Sequence, residues 1–365
     1  PPKQCQESAR MVHAPPRPPA GAPPVRINLY SDTQTRPTPA MLEAMTRAEV
    51  GDDQSGNDPT INALCDRMAA LLGKEAAVFL PSGTMCNVIA TLVHTRPGDE
   101  ILAHETAHII NSEGGAHAAL GGVQITGLAG PRGMFDAEAV RAAIRPRNRN
   151  APPQTMLEVE QTSNHGGGAV WPKAQLDAVA AVAHEQGWAT HMDGARLLNA
   201  CVASGIPAAE MCAGFDTAWL DFTKGLGAPL GAVLCGSEEF IGHAWRWKQR
   251  LGGAMRQGGV CAAACLYALD HHVDRLAEDH MNAAALARGL KQIPGIEVTD
   301  PDTNLVYFDP RGAGFSPADL QTELRRQGIL VSALAGKIRA CTHLDVSSGM
   351  IEETLAAIRG IVAER

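Results

Sequence analysis

Short runs of apolar residues alternate with amphipathic, alanine-rich stretches over most of the chain. The runs have the length and the Gly, Pro and Asp borders of buried strands, and the stretches between them repeat their apolar positions with helical spacing. The predicted strands cover residues 76–80, 100–103, 124–127, 155–159, 188–192, 217–220 and 231–235, and the predicted helices 39–47, 58–72, 84–92 and 173–185. This alternation indicates an α/β fold whose mostly parallel sheet is sandwiched by helices.

A smaller C-terminal α/β domain is predicted from residue 271 onwards. A long helix is expected after residue 272, as far as about residue 293. Further strands are predicted at 297–298, 305–308, 329–332 and 338–342, with helices at 317–327 and 351–362. We therefore assign residues 26–270 to a large domain and residues 271–365 to a small one. Residues 1–25 contain eight prolines and no apolar core of a secretory signal, which favours a flexible arm.

Composition narrows the class of protein. The 365 residues are 45% apolar and 19% charged, which is typical of a soluble enzyme with two domains. The net charge of -8 is spread along the chain without a basic block, so neither nucleic acid nor an anionic membrane is an expected partner. No apolar run approaches the roughly 20 residues of a membrane span. Nine scattered cysteines without a C-x-x-C pair favour a reducing, cytoplasmic location.

Two polar motifs lie where predicted strands end. The motif from Asp193 to Arg196 follows the 188–192 run, and Lys224 lies in the Gly-rich turn after the 217–220 run. Because open α/β sheets place their sites at the carboxyl ends of strands, we expect Asp193 and Lys224 to share a site. Such a pair suits an aldehyde cofactor with a pyridine ring. The amine forms a Schiff base with the aldehyde, and the carboxylate keeps the ring nitrogen protonated. The alternative for Lys224 is an ordinary surface lysine, whereas a catalytic one needs burial and a nearby positive charge.

Two further features could serve the same cofactor. Arg196 is expected to face the ring oxygen or the substrate carboxylate; alternatively, it pairs with Asp193 at the start of a helix. Ser82, Gly83 and Thr84 follow the 76–80 run and open a helix, where free N–H groups and the helix dipole suit a phosphate. Taken alone, these three residues are more typical of an ordinary helix cap than of a phosphate site.

His108 and Arg339 complete the candidate site. A flat imidazole such as that of His108 can stack on a pyridine ring, and Glu113, five residues later, can orient it. A structural role is the alternative for this histidine. Arg339 lies between apolar residues of the small domain and needs a carboxylate partner, which is either the substrate or a structural acid.

In order and spacing, these motifs resemble the low-specificity threonine aldolases. These belong to the β-eliminating-lyase group of pyridoxal-phosphate enzymes, which have the aspartate-aminotransferase fold. The resemblance covers about residues 27–360. It rests on residues 29–35, 50–53, 58–60, 81–85, 107–109, 113–115, 193–197, 223–229, 252–253, 255–257 and 342–346. It implies pyridoxal 5'-phosphate as cofactor and retro-aldol cleavage of a β-hydroxy-α-amino acid to glycine and an aldehyde.

The resemblance also implies a role for each candidate residue. Phosphate contacts fall to Gly83 and Thr84, ring contacts to His108, Asp193 and Arg196, the covalent bond to Lys224, and the substrate carboxylate to Ser31 and Arg339; Ser82 beside the phosphate and Arg196 near the carboxylate are expected from the residues themselves. His108 would also transfer protons. Arg256 would reach the phosphate from a neighbouring subunit. The protein is therefore expected to be a homo-oligomer, a dimer or a homotetramer, with its active site at the subunit interface. No residue is assigned to a metal.

The chain departs from the family pattern at positions expected around the Lys224 pocket. Ser55 replaces a usual Tyr, Ser163 replaces a usual His with His165 two residues later, and Lys248 replaces a usual Arg. These changes leave open a β-eliminating lyase or dehydratase, which would yield a keto acid and ammonia instead of glycine. A cofactor-binding protein without turnover is the other alternative.

Overall fold

A seven-stranded sheet forms the centre of the larger part of the chain. The computed structural model describes residues 23–334 and 336–364. Their strands are β1 (Ile27–Asn28), β2 (Ala76–Leu80), β3 (Glu100–His104), β4 (Gln124–Leu128), β5 (Gln154–Glu160), β6 (Ala189–Asp193), β7 (Thr217–Asp221), β8 (Ala232–Gly236), β9 (Glu297–Thr299), β10 (Leu305–Asp309), β11 (Ile329–Leu330), β12 (Ser332–Leu334) and β13 (Lys337–Cys341). The large sheet has the order β2-β8-β7-β6-β5-β3-β4. Every pair from β7 to β4 is parallel, and only β8 runs antiparallel to its neighbours. The predicted mostly parallel sheet is confirmed.

Helices pack on both faces of this sheet and, in the C-terminal part, on a second sheet. They are α1 (Pro39–Thr46), α2 (Pro59–Leu72), α3 (Gly83–His94), α4 (His108–Asn111), α5 (Ala137–Ala143), α6 (Lys173–Glu185), α7 (Leu197–Ser204), α8 (Ala208–Met211), α9 (Glu238–Arg250), α10 (Gly259–His271), α11 (Leu276–Lys291), α12 (Pro317–Arg326) and α13 (Ser348–Ala363). Successive residues of β2 point to opposite faces: Phe79 packs into one apolar core, and Val78 and Leu80 into another. Burial on both faces explains why these strands read as continuous apolar runs.

The C-terminal part contains its own sheet and core. Its antiparallel sheet has the order β12-β13-β10-β9, and β11 pairs in parallel with β1. The core of this region therefore includes Ile27 and Leu29 from the start of the described chain. The division into domains at residue 270 stays a prediction.

The predicted strand at 329–332 is wrong in one respect. The structure breaks it at Val331, because β11 pairs with β1 whereas β12 pairs with β13 in the other sheet. Helices α4, α5, α7, α8 and α9 were not predicted, although α9 is 13 residues long.

Two expectations concern the ends and the surroundings of the chain. Most of the predicted flexible arm, residues 1–22, lies outside the described residues. Among the described helices, none has the length and apolar character that a membrane crossing requires.

Candidate active site

A cavity of about 300 Å³ opens where β6 and β7 end. All the predicted site residues except Arg256 line it: Ser31, Ser82, Gly83, Thr84, His108, Asp193, Arg196, Lys224 and Arg339. Parallel strands deliver their carboxyl ends to one edge of the sheet, which explains why residues far apart in sequence meet here. The volume is at the lower end of the usual range for small-molecule sites.

Lys224 reaches the cavity from the turn after β7, and its partner there is a carboxylate. Its Nζ donates to Asp221 Oδ2 at 2.5 Å and lies 5.8 Å from the centre of the Trp219 ring. Asp221 Oδ1 also accepts from the amide and hydroxyl groups of Thr223, which fixes the acid. The side chain of Lys224 is only 18% exposed. The expected burial is present, whereas the group that pairs with the lysine is a negative charge, not the expected positive one.

Asp193, the last residue of β6, presents a buried carboxylate to the cavity. Oδ1 accepts from the amide of Ala195 at 3.0 Å, and Oδ2 accepts from Nδ2 of Asn87 at 2.8 Å. Burial raises the pKa of Asp193, opposed by the charge of His108 and by the hydrogen bond from Asn87. Gly194 follows it because an added Cβ there would lie 1.9 Å from the carbonyl oxygen of Trp219. The close approach of β6 and β7 therefore requires this glycine.

Glu113 holds the imidazole of His108 at the mouth of the cavity. His108 Nδ1 and His117 Nε2 each lie 2.8 Å from a different Glu113 oxygen. Burial alone would raise the pKa of Glu113, but hydrogen bonds from His108, His117 and Asn87 bring it down to about 2. Burial lowers the pKa of His108, but the hydrogen bond to Glu113 and the charges of Asp193, Glu113 and Glu160 together outweigh burial, so the net pKa is raised. The predicted orienting role of Glu113 agrees with this geometry.

Arg196 forms a buried two-pronged ion pair with Asp32. Nε and one terminal nitrogen of Arg196 each lie 2.7 Å from a different oxygen of Asp32. Burial raises the pKa of Asp32, but the guanidinium and the amide of Asn304 lower it far below its usual range. The alternative that Arg196 pairs with Asp193 is wrong, because Asp32 occupies the fork. The other terminal nitrogen of Arg196 takes no part in this pair with Asp32.

Helix α3 directs its amino end into the cavity. Ser82 caps the helix, since its Oγ accepts from the amide of Met85 at 3.3 Å. The amides of Gly83 and Thr84 belong to the first helical turn, where no partner inside the helix exists. An added Cβ on Gly83 would lie 2.1 Å from the indole of Trp219. The position of the Trp219 ring therefore requires glycine here.

Arg339 and Ser31 lie at the side of the cavity nearest the C-terminal sheet. One terminal nitrogen of Arg339 donates to Asn164 Oδ1 and the other to the carbonyl oxygen of Tyr30, both at 3.1 Å. Its Nε is buried without a partner among the described residues. Ser31 Oγ accepts from Thr33, which leaves its own hydrogen for an incoming acceptor. The structural ion pair proposed as the alternative for Arg339 is absent from the described residues.

Four residues expected near the cavity lie elsewhere in the single chain. Arg256 is exposed and pairs with Asp52 at 3.1 Å. Lys248 is buried in an ion pair with Asp53 at 2.7 Å, and neither Ser55 nor Ser163 lines the cavity. The expectation that these three substitutions surround the Lys224 pocket is wrong for this chain. Lys248 instead holds the loop that contains Asp53.

Sequence reasoning missed several residues of the site. Asn87, Trp219 and Asp221 each bond directly to a predicted site residue or lie against one. Asp221 carried a signal, since it ends a strand three residues before Lys224. Glu160 lines the cavity and ends β5, and burial together with the charge of Asp193 raises its pKa. No sequence signal pointed to Asn87, because it lies inside an apolar helix.

Comparison with known proteins places this geometry in a family. Residues 28–312 match the family model described as "Beta-eliminating lyase". The chain is 40% identical over 338 residues to the low specificity L-threonine aldolase of Escherichia coli K12, which covers 92% of this chain and 99% of that protein. A Leishmania major threonine aldolase structure superposes with a TM-score of 0.80 at 20% identity over 92% of this chain and 99% of that one. A Thermus thermophilus aspartate aminotransferase superposes with a TM-score of 0.70 at 19% identity, over 92% of this chain and 96% of that one. These two structures share the fold, which confirms the aspartate-aminotransferase-like architecture.

Proposed function

The chain belongs to the β-eliminating lyase family and groups there with the low-specificity threonine aldolases, and from this premise we propose its reaction. It is a pyridoxal-phosphate-dependent aldehyde-lyase that cleaves a threonine-like β-hydroxy-α-amino acid to glycine and an aldehyde. The observation that carries the proposal is the meeting of the Lys224 amine and the buried Asp193 carboxylate in one cavity. A family of pyridoxal-phosphate enzymes needs this pair, and the chain retains it.

The residues present fit this cofactor. The unpaired amides at the start of α3 suit a phosphate, the missing side chain of Gly83 lets it approach, and Asp193 suits a protonated ring nitrogen. Lys224 would supply the amine for the covalent bond, His108 would lie against the ring, and the terminal nitrogen of Arg196 that does not bond to Asp32 would serve the ring oxygen. When bound, the cofactor supplies an aldehyde that bonds to amines and a ring that withdraws electrons from the α-carbon.

The chain's own side chains select which bond breaks. Arg339, through its unpartnered Nε, and Ser31, through its free hydroxyl hydrogen, hold the substrate carboxylate. Fixing that group would orient the substrate so that the Cα–Cβ bond breaks rather than another. His108, oriented by Glu113, takes the proton of the β-hydroxyl group. The aldehyde leaves, and a proton delivered to the α-carbon completes glycine.

A panel of substrates tests the reaction. Threonine, allo-threonine, phenylserine and serine are incubated with the purified protein, and glycine, aldehyde, keto acid and ammonia are measured together. We expect glycine and aldehyde in equal amounts from the β-hydroxy acids. Keto acid and ammonia without glycine would instead identify a β-eliminating lyase, and no turnover at all would identify a binding protein.

Trapping of the cofactor tests the role of Lys224. Borohydride reduction should fix one cofactor to the peptide that contains Lys224, as read by mass spectrometry. Lys224→Ala should lose both this adduct and turnover, whereas Lys291→Ala, at an exposed lysine, should keep both. An adduct on any other lysine contradicts the assignment.

We also propose that the active enzyme is a cytoplasmic homo-oligomer in which Arg256 serves the partner's site. The exposed position of Arg256, outside the cavity of its own chain, supports this arrangement. The eight free cysteines of the described residues accord with a reducing compartment. Mixing inactive Arg256→Ala and Lys224→Ala chains should restore activity, because one site of each hybrid regains both groups. If the mixture stays inactive while hybrids are seen by native mass spectrometry, Arg256 does not act across the interface.

A further inference from the structure

The side chain of Asn87 uses its full hydrogen-bonding capacity beneath the candidate active site. Its Nδ2 donates to Asp193 Oδ2 and to Glu113 Oε1, both at 2.8 Å. Its Oδ1 accepts from Trp219 Nε1 at 2.7 Å and lies 3.1 Å from His191 Nε2. An amide group offers two donors and two lone pairs, so all four are engaged. The residue is buried, and water does not compete with these bonds.

Chemistry decides the orientation of this amide group. An indole N–H only donates, so the atom of Asn87 that faces Trp219 must be the oxygen. His191 Nε2 must then carry a proton, because that oxygen only accepts. Burial lowers the pKa of His191 to about 3, so the ring is neutral and its Nδ1 accepts from Thr217 Oγ1 at 2.8 Å.

The hydrogen-bond line extends further, to a second cavity. With its hydrogen directed at His191, the Thr217 hydroxyl must accept from His94 Nε2, 3.0 Å away. Burial also lowers the pKa of His94, to about 4, so this ring is neutral as well. His94 lies on the wall of a cavity of about 560 Å³ that is separate from the active-site cavity. Every bond from there to Asp193 therefore points in one direction.

From this arrangement we propose that Asn87 is the positioning residue that aims the Asp193 carboxylate at the ring nitrogen of the cofactor. Trp219 and His191 hold Asn87 in the only orientation that allows it to donate to Asp193. The inference deepens the proposed function and rests on it. Asn87 also donates to Glu113, so one side chain holds both the acid under the ring and the acid behind His108.

Asp193 needs such a donor because its surroundings hold charges of both signs. The groups that favour its charged form are His108 and Lys224, and those that oppose it are Glu113 and Glu160. Glu158 and Glu160 lie directly opposite His191 and Asp193 on the neighbouring strand. Burial, like the charges of Glu113 and Glu160, raises the pKa of Asp193. Loss of the Asn87 bond therefore raises the pKa of Asp193 and leaves its carboxylate free to turn away from the ring nitrogen, which weakens its hold there.

Nitrogen-15 NMR of the holoenzyme tests the role directly. The protein is loaded with ring-labelled [15N]pyridoxal phosphate, and the ring resonance is followed against pH. In Asn87→Ala the ring nitrogen should lose its proton at a pH lower by about one to two units, which corresponds to one charge-assisted hydrogen bond. Asn62→Ala, at an exposed asparagine of α2, is the matched control and should titrate like the parent. An unchanged midpoint in Asn87→Ala, with the cofactor still bound to Lys224, overturns the proposal.

A pair of His191 variants keeps the proposal testable if Asn87→Ala does not fold. His191→Leu removes the donor to Asn87 and should shift the midpoint in the same direction, by less, because Trp219 still donates. His191→Gln can donate and accept without charge, as the neutral histidine does, and should restore the parental midpoint. The proposal is wrong if His191→Leu titrates like the parent or if His191→Gln matches His191→Leu. Failure of the parent to bind the labelled cofactor covalently would instead count against the proposed function.

Discussion

Replacing the buried Glu158 with Gln should stabilise the protein, and increasingly so as the pH rises. Glu158 lies inside the large sheet, and both its carboxyl oxygens lack partners among the described residues. Burial, aided by the charges of Asp193 and Glu160, raises its pKa well above the usual value. The folded protein therefore keeps this carboxyl group protonated, whereas the unfolded chain releases the proton above about pH 4.5.

The magnitude follows from proton linkage. Because the folded state binds one more proton than the unfolded state, the free energy of unfolding falls as the pH rises above the unfolded pKa. The loss is about 1.4 kcal/mol per pH unit and ends where the pH passes the folded pKa. Between pH 4.5 and pH 7.5 this amounts to at most about 4 kcal/mol. Glutamine has a similar shape and no proton to take up, so Glu158→Gln removes this penalty.

Urea unfolding with excess cofactor, at several values between pH 5 and pH 8, measures the effect. The difference in unfolding free energy between Glu158→Gln and the parent should grow towards about 1.4 kcal/mol per pH unit. Glu352→Gln, at an exposed position of the terminal helix, is the control and should show no such slope. Parallel curves for Glu158→Gln and the parent would refute the reasoning, because they would mean that Glu158 is ionised in the folded protein.

Three further predictions concern the cavity itself. Gly83→Ala should raise the cofactor dissociation constant at least about tenfold, since its Cβ would clash with Trp219 at 2.1 Å. Equilibrium titration measures the constant, and an unchanged affinity would contradict a phosphate site at the start of α3. Arg339→Lys should lower kcat/KM roughly ten- to hundredfold, mainly through KM, because an ammonium group cannot keep the bonds to Asn164 and Tyr30 and also reach the substrate. A kcat effect alone would argue against carboxylate binding. Glu113→Gln should move the acidic limb of the pH profile of kcat/KM to lower pH by about one unit, because the hydrogen bond to Glu113 raises the pKa of His108. An acidic limb that does not move would exclude His108 as the base.

The sequence predicted the sheet and the central pair of residues because both are encoded locally. Strands such as β2 are short apolar runs with clear borders, and Asp193 and Lys224 stand directly at strand ends. Their meeting needed only the general rule that parallel strands deliver their ends to one edge.

The remaining features of the site depend on contacts between distant parts of the chain. Asp32 meets Arg196 across 164 positions, and Asn87 meets Trp219 across 132. Neither pairing leaves a local pattern, since a buried asparagine in an apolar helix reads like any core position. The break in the predicted strand at Val331 has the same origin, because β11 pairs with β1, some 300 residues earlier.

One measurement tests the central claim most directly: proton NMR of the products that the purified protein forms from threonine in D2O. Cleavage between Cα and Cβ predicts acetaldehyde and glycine in equal amounts, with a solvent deuteron on the glycine α-carbon. Lys224→Ala should form neither product. The appearance of 2-oxobutyrate and ammonium in place of glycine would contradict the account. It would show that Lys224 and Asp193 serve to break the bond between the α-carbon and its hydrogen, not the Cα–Cβ bond.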